Sequence, residues 1–406
     1  MTDEDLRQYA RLLVQLVNVQ PNQNLHVRGE PCHWPLFNAI AEAAYAAGAR
    51  YVDVASQHAG LHKARIQNSK EEHLEYVPRT LTARNDIFID EQWALISVKN
   101  PEDPDFLSDL DSTRNAAVMR ALAKANSPLR RNLQADKFQW IVCASPTDPW
   151  ARKVLGEDAN SETLWETMRS ILRLDTEDPL GAWTRHAETL ASRSRTLQSM
   201  EVDSLHFTGP GTDLRVGLPE RPVWLGGSAQ TPEGTRFLPN VPTEEVFTTP
   251  DYRRTSGDVR VTRPVLVMGS VVDGAWFRFD EGRVVDFGAH SGEDVLGRYL
   301  EMDEGARYLG EVALVDSGSP IFQAGRVFYD ILYDENAACH IALGGAYPGG
   351  IQGGDELSES DLTRAGGNIS DVHTDFMVGS EEITVTARLR DGRDEVPVID
   401  QGRFVI

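Results

Sequence analysis

The chain has 406 residues, 41% of them hydrophobic and 25% charged, with a formal charge of −22. That length exceeds what one hydrophobic core usually serves, so two domains are expected in an ordinary globular composition. The acidity argues against nucleic acid or an anionic membrane as partner, and no run of about 18 apolar residues is present to span a bilayer.

The N-terminal MTDEDLRQYARLL has neither a basic nor an apolar leader region, which leads us to expect a cytoplasmic protein. Thr2 is placed to cap a helix whose Leu6, Tyr9, Leu13, Leu16 and Val17 recur at the helical period. A short strand around Leu25–Val27 follows. Pro35 then opens a helix carrying Leu36, Ile40, Ala44 and Tyr45, and Gly48 ends it. The strand Tyr51–Val54 comes next, and strand, helix, strand at this spacing predicts a parallel sheet. QWIVCAS (139–145) reads as a further buried strand. Helices over about 160–174 and 181–199 lead away from this region.

From about residue 203 the apolar period changes to two. SLHFTGPGTDLRVGL reads as a hairpin about Gly-Pro-Gly, and 257–290 as a meander of three or four strands. A helix near 292–304 and strands at 309–316 and 382–390 complete the pattern. The fold class is therefore an α/β domain with a mainly parallel sheet (residues 1–200), then an α+β domain (residues 201–406).

The chemistry concentrates in the second half. DENAACHIALGGAYPGG (334–350) brings Asp334, Glu335, His340 and Tyr347 into one window. NVPTEEVFTTPD, LGEVALVD and DVHTDFM add further acids and histidines. Glu, His and Asp with Cys339 as the sole nearby thiol suit a hard or borderline divalent metal with water as co-ligand. His373 and Asp375, one residue apart in an extended segment, fall on one face of a strand. A role-free surface HxD is the competing reading, and the apolar Phe376 and Met377 beside it weigh against that. Two prolines hold Glu244–Glu245 extended, so the carboxylates point to opposite sides and one of them reaches a common metal. Glu311 lies inside an apolar strand, where a carboxylate is either partnered or turned to solvent. Gly310 before it permits close backbone approach. The Tyr347 phenol, otherwise a packing group, can donate to a developing oxyanion.

Several motifs are absent or fail. HExxH, GxSxG and the Walker loop do not occur, and GPGTDL lacks the third glycine of a dinucleotide fingerprint. Cys32, Cys143 and Cys339 are odd in number and widely spaced, which argues against a disulfide framework or a thiolate zinc site. Cys32–His33 is read as packing.

Together these segments resemble the thermophilic-aminopeptidase family of metallopeptidases, the aminopeptidase T, S and II group. The likeness runs in order from YARLLVQLVNVQPNQ through QWIVCASPTDPWA, FTGPGTDLRVGL and NVPTEEVFTTP to GEVALV, DENAACHIALGGAYP and HTDFMVG. It implies a homodimeric, two-domain aminopeptidase with a pair of divalent ions in the C-terminal domain, acting on peptides with a free N-terminus. The implied ligands are Glu245, Glu311, His340, His373 and Asp375, with Glu335 and Tyr347 lining the site. Glu244 or Glu335 is then the general base and Tyr347 the oxyanion donor. Zinc, cobalt or manganese fits such ligands, and magnesium is admissible. Other two-metal hydrolases, of phosphoesterase or amidohydrolase type, are the alternative, though no Arg or Lys cluster accompanies the ligand segments. A non-catalytic metal-stabilised binding protein is the remaining alternative.

Overall fold

The computed structural model describes residues 1–392 and 395–406. By its internal contacts the chain forms two compact units, Met1–Thr184 with Ser228–Val241, and Arg185–Gly227 with Pro242–Ile406. The first begins as the sequence suggests. Thr2 and Asp5 form a reciprocal capping box, and the helix Asp3–Leu16 buries Tyr9, Leu12, Leu13 and Leu16. Strands β1 (Asn24–Gly29), β2 (Tyr51–Ser56), β3 (Ala94–Val98) and β4 (Trp140–Cys143) pair in parallel, in the order β2-β1-β3-β4. The helix Trp34–Ala46 joins β1 to β2, with Gly48 at φ +95° just after it.

Strand β3 and the helices Ala59–Asn68, Arg79–Asp90 and Ser112–Gln134 have no counterpart in the sequence reading. ALISV is buried at every position, so it carries no alternation to mark it as a strand.

In the second unit, β5 (Val202–Gly209) and β6 (Thr212–Gly217) form the expected hairpin, with Gly211 at φ +72°. Strand β7 is Leu225–Gly226. The ribbon of β8 (Ala229–Gln230) and β9 (Arg236–Phe237) belongs to the first unit. Then follow β10 (Glu245–Thr248), β11 (Thr255–Arg260), β12 (Val265–Val267), β13 (Ser270–Val272), β14 (Trp276–Asp280) and β15 (Arg283–Gly288). The stretch 257–290 is not one meander. Strands β12 and β13 pair only with each other, whereas β14 and β15 extend the sheet from β11. The helix expected over 292–304 is shorter, Glu293–Tyr299, and a 3-10 turn follows at Glu304–Arg307.

The remaining strands are β16 (Leu309–Val315), β17 (His340–Gly344), β18 (His373–Met377), β19 (Thr384–Leu389), β20 (Glu395–Asp400) and β21 (Arg403–Phe404). Among the described residues they complete two antiparallel sheets. One has the order β15-β14-β11-β6-β5-β19-β20-β21, the other β18-β17-β16-β10-β7. A shared apolar core containing Phe207, Phe277, Tyr299, Ile341 and Phe376 joins them. The second sheet matters for function, because its central strand β16 is buried along its whole length and still contains Glu311.

Candidate metal centre

Antiparallel pairing aligns Glu311 of β16 with Ala342 of β17, and Ala342 with Asp375 of β18. His373 lies opposite Gly344, and His340 opposite Ala313. Adjacent strands thus bring acids and histidines far apart in sequence onto one patch. The β16–β17 register slips between Leu309 and Glu311, and a Cβ at Gly310 would collide with the Gly345 carbonyl. That bulge aims the Glu311 carboxylate.

Its two oxygens face different partners. Oε1 lies 3.6 Å from His340 Nε2, and Oε2 lies 3.5 Å from His373 Nε2. His340 Nε2 also lies 3.2 Å from Glu245 Oε2, and His373 Nε2 lies 3.4 Å from Asp375 Oδ1. Two donor sets result, Glu245/Glu311/His340 and Glu311/His373/Asp375, each with its donor atoms within 4.8 Å of one another. Glu311 belongs to both.

The second ring nitrogens fix the imidazoles. His340 Nδ1 lies 3.2 Å from the Ala338 carbonyl and His373 Nδ1 2.7 Å from the Gly345 carbonyl. A carbonyl only accepts, so each Nδ1 carries a proton, which leaves Nε2 as the nitrogen that would ligate a metal ion. Glu245 Oε2 is buried and makes no geometrically acceptable hydrogen bond despite its contact with His340. A buried carboxylate oxygen in that state is costly unless a cation meets it. The donors present therefore fit divalent ions.

The electrostatics give the same answer. Burial raises Glu311 to about 7, against the hydrogen bond with His340, while Glu245 and Asp375 push it further up. Burial, then Asp375 and Glu245, raises Glu335 well above the usual carboxylate range. Burial disfavours protonated His340 and His373, yet the surrounding carboxylates override it, raising His340 strongly and His373 to about 9. Burial also works against ionised Asp375, but His373 holds it below its ordinary value. Negative charge here exceeds what the histidines neutralise, and a bound cation would invert these shifts.

The other sequence candidates divide. Glu335 ends the helix Ile331–Glu335, and its Oε1 accepts from Asn336 Nδ2 at 3.3 Å. Tyr347, in the loop after β17, packs edge-on against His373 at 5.1 Å and Phe247 at 5.8 Å between ring centres. Burial, then Glu311 and Asp375, raises its phenol well above the ordinary value, so it stays a donor. Glu244 turns away from Glu245, with its Oε2 3.3 Å from His186 Nε2. Asp334 accepts from the Phe328 and Asp330 N–H groups, which is structural work.

Asn336 had no place in the sequence reading. It is fully buried, donates to Glu335 and to the Leu332 carbonyl, and accepts the Glu244 N–H at 2.6 Å. Its position between Glu335 and the metal-facing window was the one available signal.

Residues 2–404 match the family model described as thermophilic metalloprotease (M29). The chain belongs to this family. It is 38% identical to aminopeptidase 2 of Geobacillus stearothermophilus, over 99% of this chain and 98% of the relative. It is 37% identical to aminopeptidase T of Thermus aquaticus, over 99% of each. The solved structure of wild-type AmpT from Thermus thermophilus superposes with a TM-score of 0.91 at 35% identity, covering 100% of both chains. This member of the family is accordingly a metal-dependent aminopeptidase, a hydrolase of peptide bonds. Among the described residues, no helix is long and apolar enough to cross a membrane.

Proposed function

We propose that Glu245, Glu311, His340, His373 and Asp375 hold two divalent ions that share Glu311, and that this centre removes N-terminal residues from peptides. The two Glu311 oxygens, each facing a different histidine, carry this reading. Such ions supply Lewis acidity to the scissile carbonyl and make water a competent nucleophile near neutral pH.

The chain's own groups do the rest. Glu335 Oε1 is held by Asn336, which leaves Oε2 to take a proton from the attacking water and return it to the leaving amine. Glu244, engaged with His186, is the weaker candidate for that proton. Tyr347 donates its hydroxyl to the tetrahedral oxyanion, oriented by its packing on His373 and Phe247. A carboxylate that the ions leave free engages the cationic α-amino end of a peptide, which makes the cleavage exo-acting.

Zinc, cobalt and manganese are the metals proposed, with magnesium also compatible. The resemblance extends the proposal to a homodimer, and a cytoplasmic location is proposed with it. Elemental analysis of the purified protein should give two ions per chain. Chelation should abolish hydrolysis of aminoacyl p-nitroanilides, and re-addition of one of these metals should restore it. A fully active, metal-free protein would refute the assignment.

A further inference from the structure

The order β2-β1-β3-β4 contains a topological switch between β1 and β3, because β2 is laid on one side of β1 while β3 and β4 are laid on the other. In open parallel sheets the crevice beyond the carboxyl ends at such a switch is the usual ligand site. Arg28 is the penultimate residue of β1, and Lys99 immediately follows β3. Arg28 is in register with Ser97, and its Nε donates to Ser97 Oγ at 2.8 Å. The Lys99 N–H still pairs with the Cys143 carbonyl at 3.0 Å, so strand geometry persists and Lys99 lies on the face of Ser97.

The helix Arg79–Asp90 covers that face. Its Phe88 ring is 4.4 Å from His26, which is two residues before Arg28 on β1. Arg84 lies one turn earlier on the same side of the helix.

These cations lack anionic partners. Among the described residues no carboxylate oxygen lies within 4.0 Å of the charged nitrogens of Arg28, Arg84 or Lys99, and Asp53 is bound to His26 at 2.7 Å. Burial, then Arg84, lowers the Arg28 guanidinium. The protein around the Lys99 amine, then Arg28, lowers that amine to about 8. The whole chain has 62 acidic against 40 basic residues. Arg84 and Lys99 are exposed and Arg28 is partly buried, so the cost of an unpaired cation falls on Arg28, and an oxyanion held by all three would offset it.

We propose that Arg28, Arg84 and Lys99, at the β1/β3 switch point, form a binding site for a small oxyanion. The ligand is a free oxyanion of the phosphate type.

Full-length protein tests the site. Calorimetry and thermal melts with inorganic phosphate are run on wild type, Arg28→Gln and Lys99→Met, the last at an exposed position that protects the test against misfolding. KM for an aminoacyl p-nitroanilide is measured in parallel. A phosphate site raises Tm by about 2 °C at tenfold excess over Kd, and each variant binds about tenfold more weakly with KM unchanged. The proposal fails if wild type takes up no phosphate at about 10 mM. It also fails if Lys99→Met binds phosphate like wild type.

Discussion

Around the site sheet of the C-terminal unit burial raises acids, whereas around the parallel sheet of the N-terminal unit it lowers bases. Glu311 rises to about 7 and Glu335 goes well above its ordinary range, while His26 and His33 fall to about 4. Both outcomes follow from one rule, that a low-dielectric surrounding disfavours whichever form is charged. The difference lies in how each region is relieved. The carboxylates of β10, β16 and β18 are too many for two histidines, and on the proposed reading cations make them whole. The imidazoles of the N-terminal unit are made whole by staying neutral.

The strongest test of this contrast removes the shared carboxylate. Glu311→Ala should lower kcat/KM on an aminoacyl p-nitroanilide by at least about 10⁴-fold and reduce the metal content to one ion or none. Retention of two ions and measurable turnover would sink the bridging role. Glu335→Gln should leave the metal content intact while kcat falls by about 10²- to 10⁴-fold, the usual worth of a general base. If Glu244→Gln shows that loss in its place, the proton passes through Glu244. Asn336→Ala should lower kcat about tenfold with little change in KM, because Glu335 loses the bond that orients it and the Glu244 N–H loses its acceptor. A change confined to thermal stability would make Asn336 structural only.

How much of this was legible depends on whether the signal is local. His373 and Asp375 share a face because a strand has a period of two, and that much can be read from HTD alone. The opposite orientations of Glu244 and Glu245 follow from the same period, and they end at His186 and His340 respectively. Asn336 could not be found this way, since its acceptor bond spans 92 residues. A hairpin such as β12–β13 has the same alternation whether or not it joins the neighbouring sheet, so period alone read 257–290 as one meander. ALISV failed for the reverse reason, being buried on both faces. The return of Ser228–Val241 to the first unit leaves no mark in composition.

A test on stability and not turnover concerns the other side of the contrast, the acid response of the N-terminal unit. His33 is buried, its Nε2 has no hydrogen-bond partner among the described residues, and burial alone lowers it from 6.5 to about 4. The unfolded chain therefore binds a proton at His33 between those values that the folded chain refuses. The contribution of neutral His33 is complete above pH 6.5 and is lost progressively as pH falls, by about 3 kcal/mol at pH 4. His26, also lowered to about 4 by burial against the opposing pull of Asp53, loses stability over the same window. Urea midpoints at pH 7 and pH 5 should differ less in His33→Gln than in wild type, because the variant has no proton to refuse. Equal differences in the two proteins would mean that His33 takes up its proton without unfolding anything. Burial would then not be what separates the N-terminal sheet from the metal-facing one.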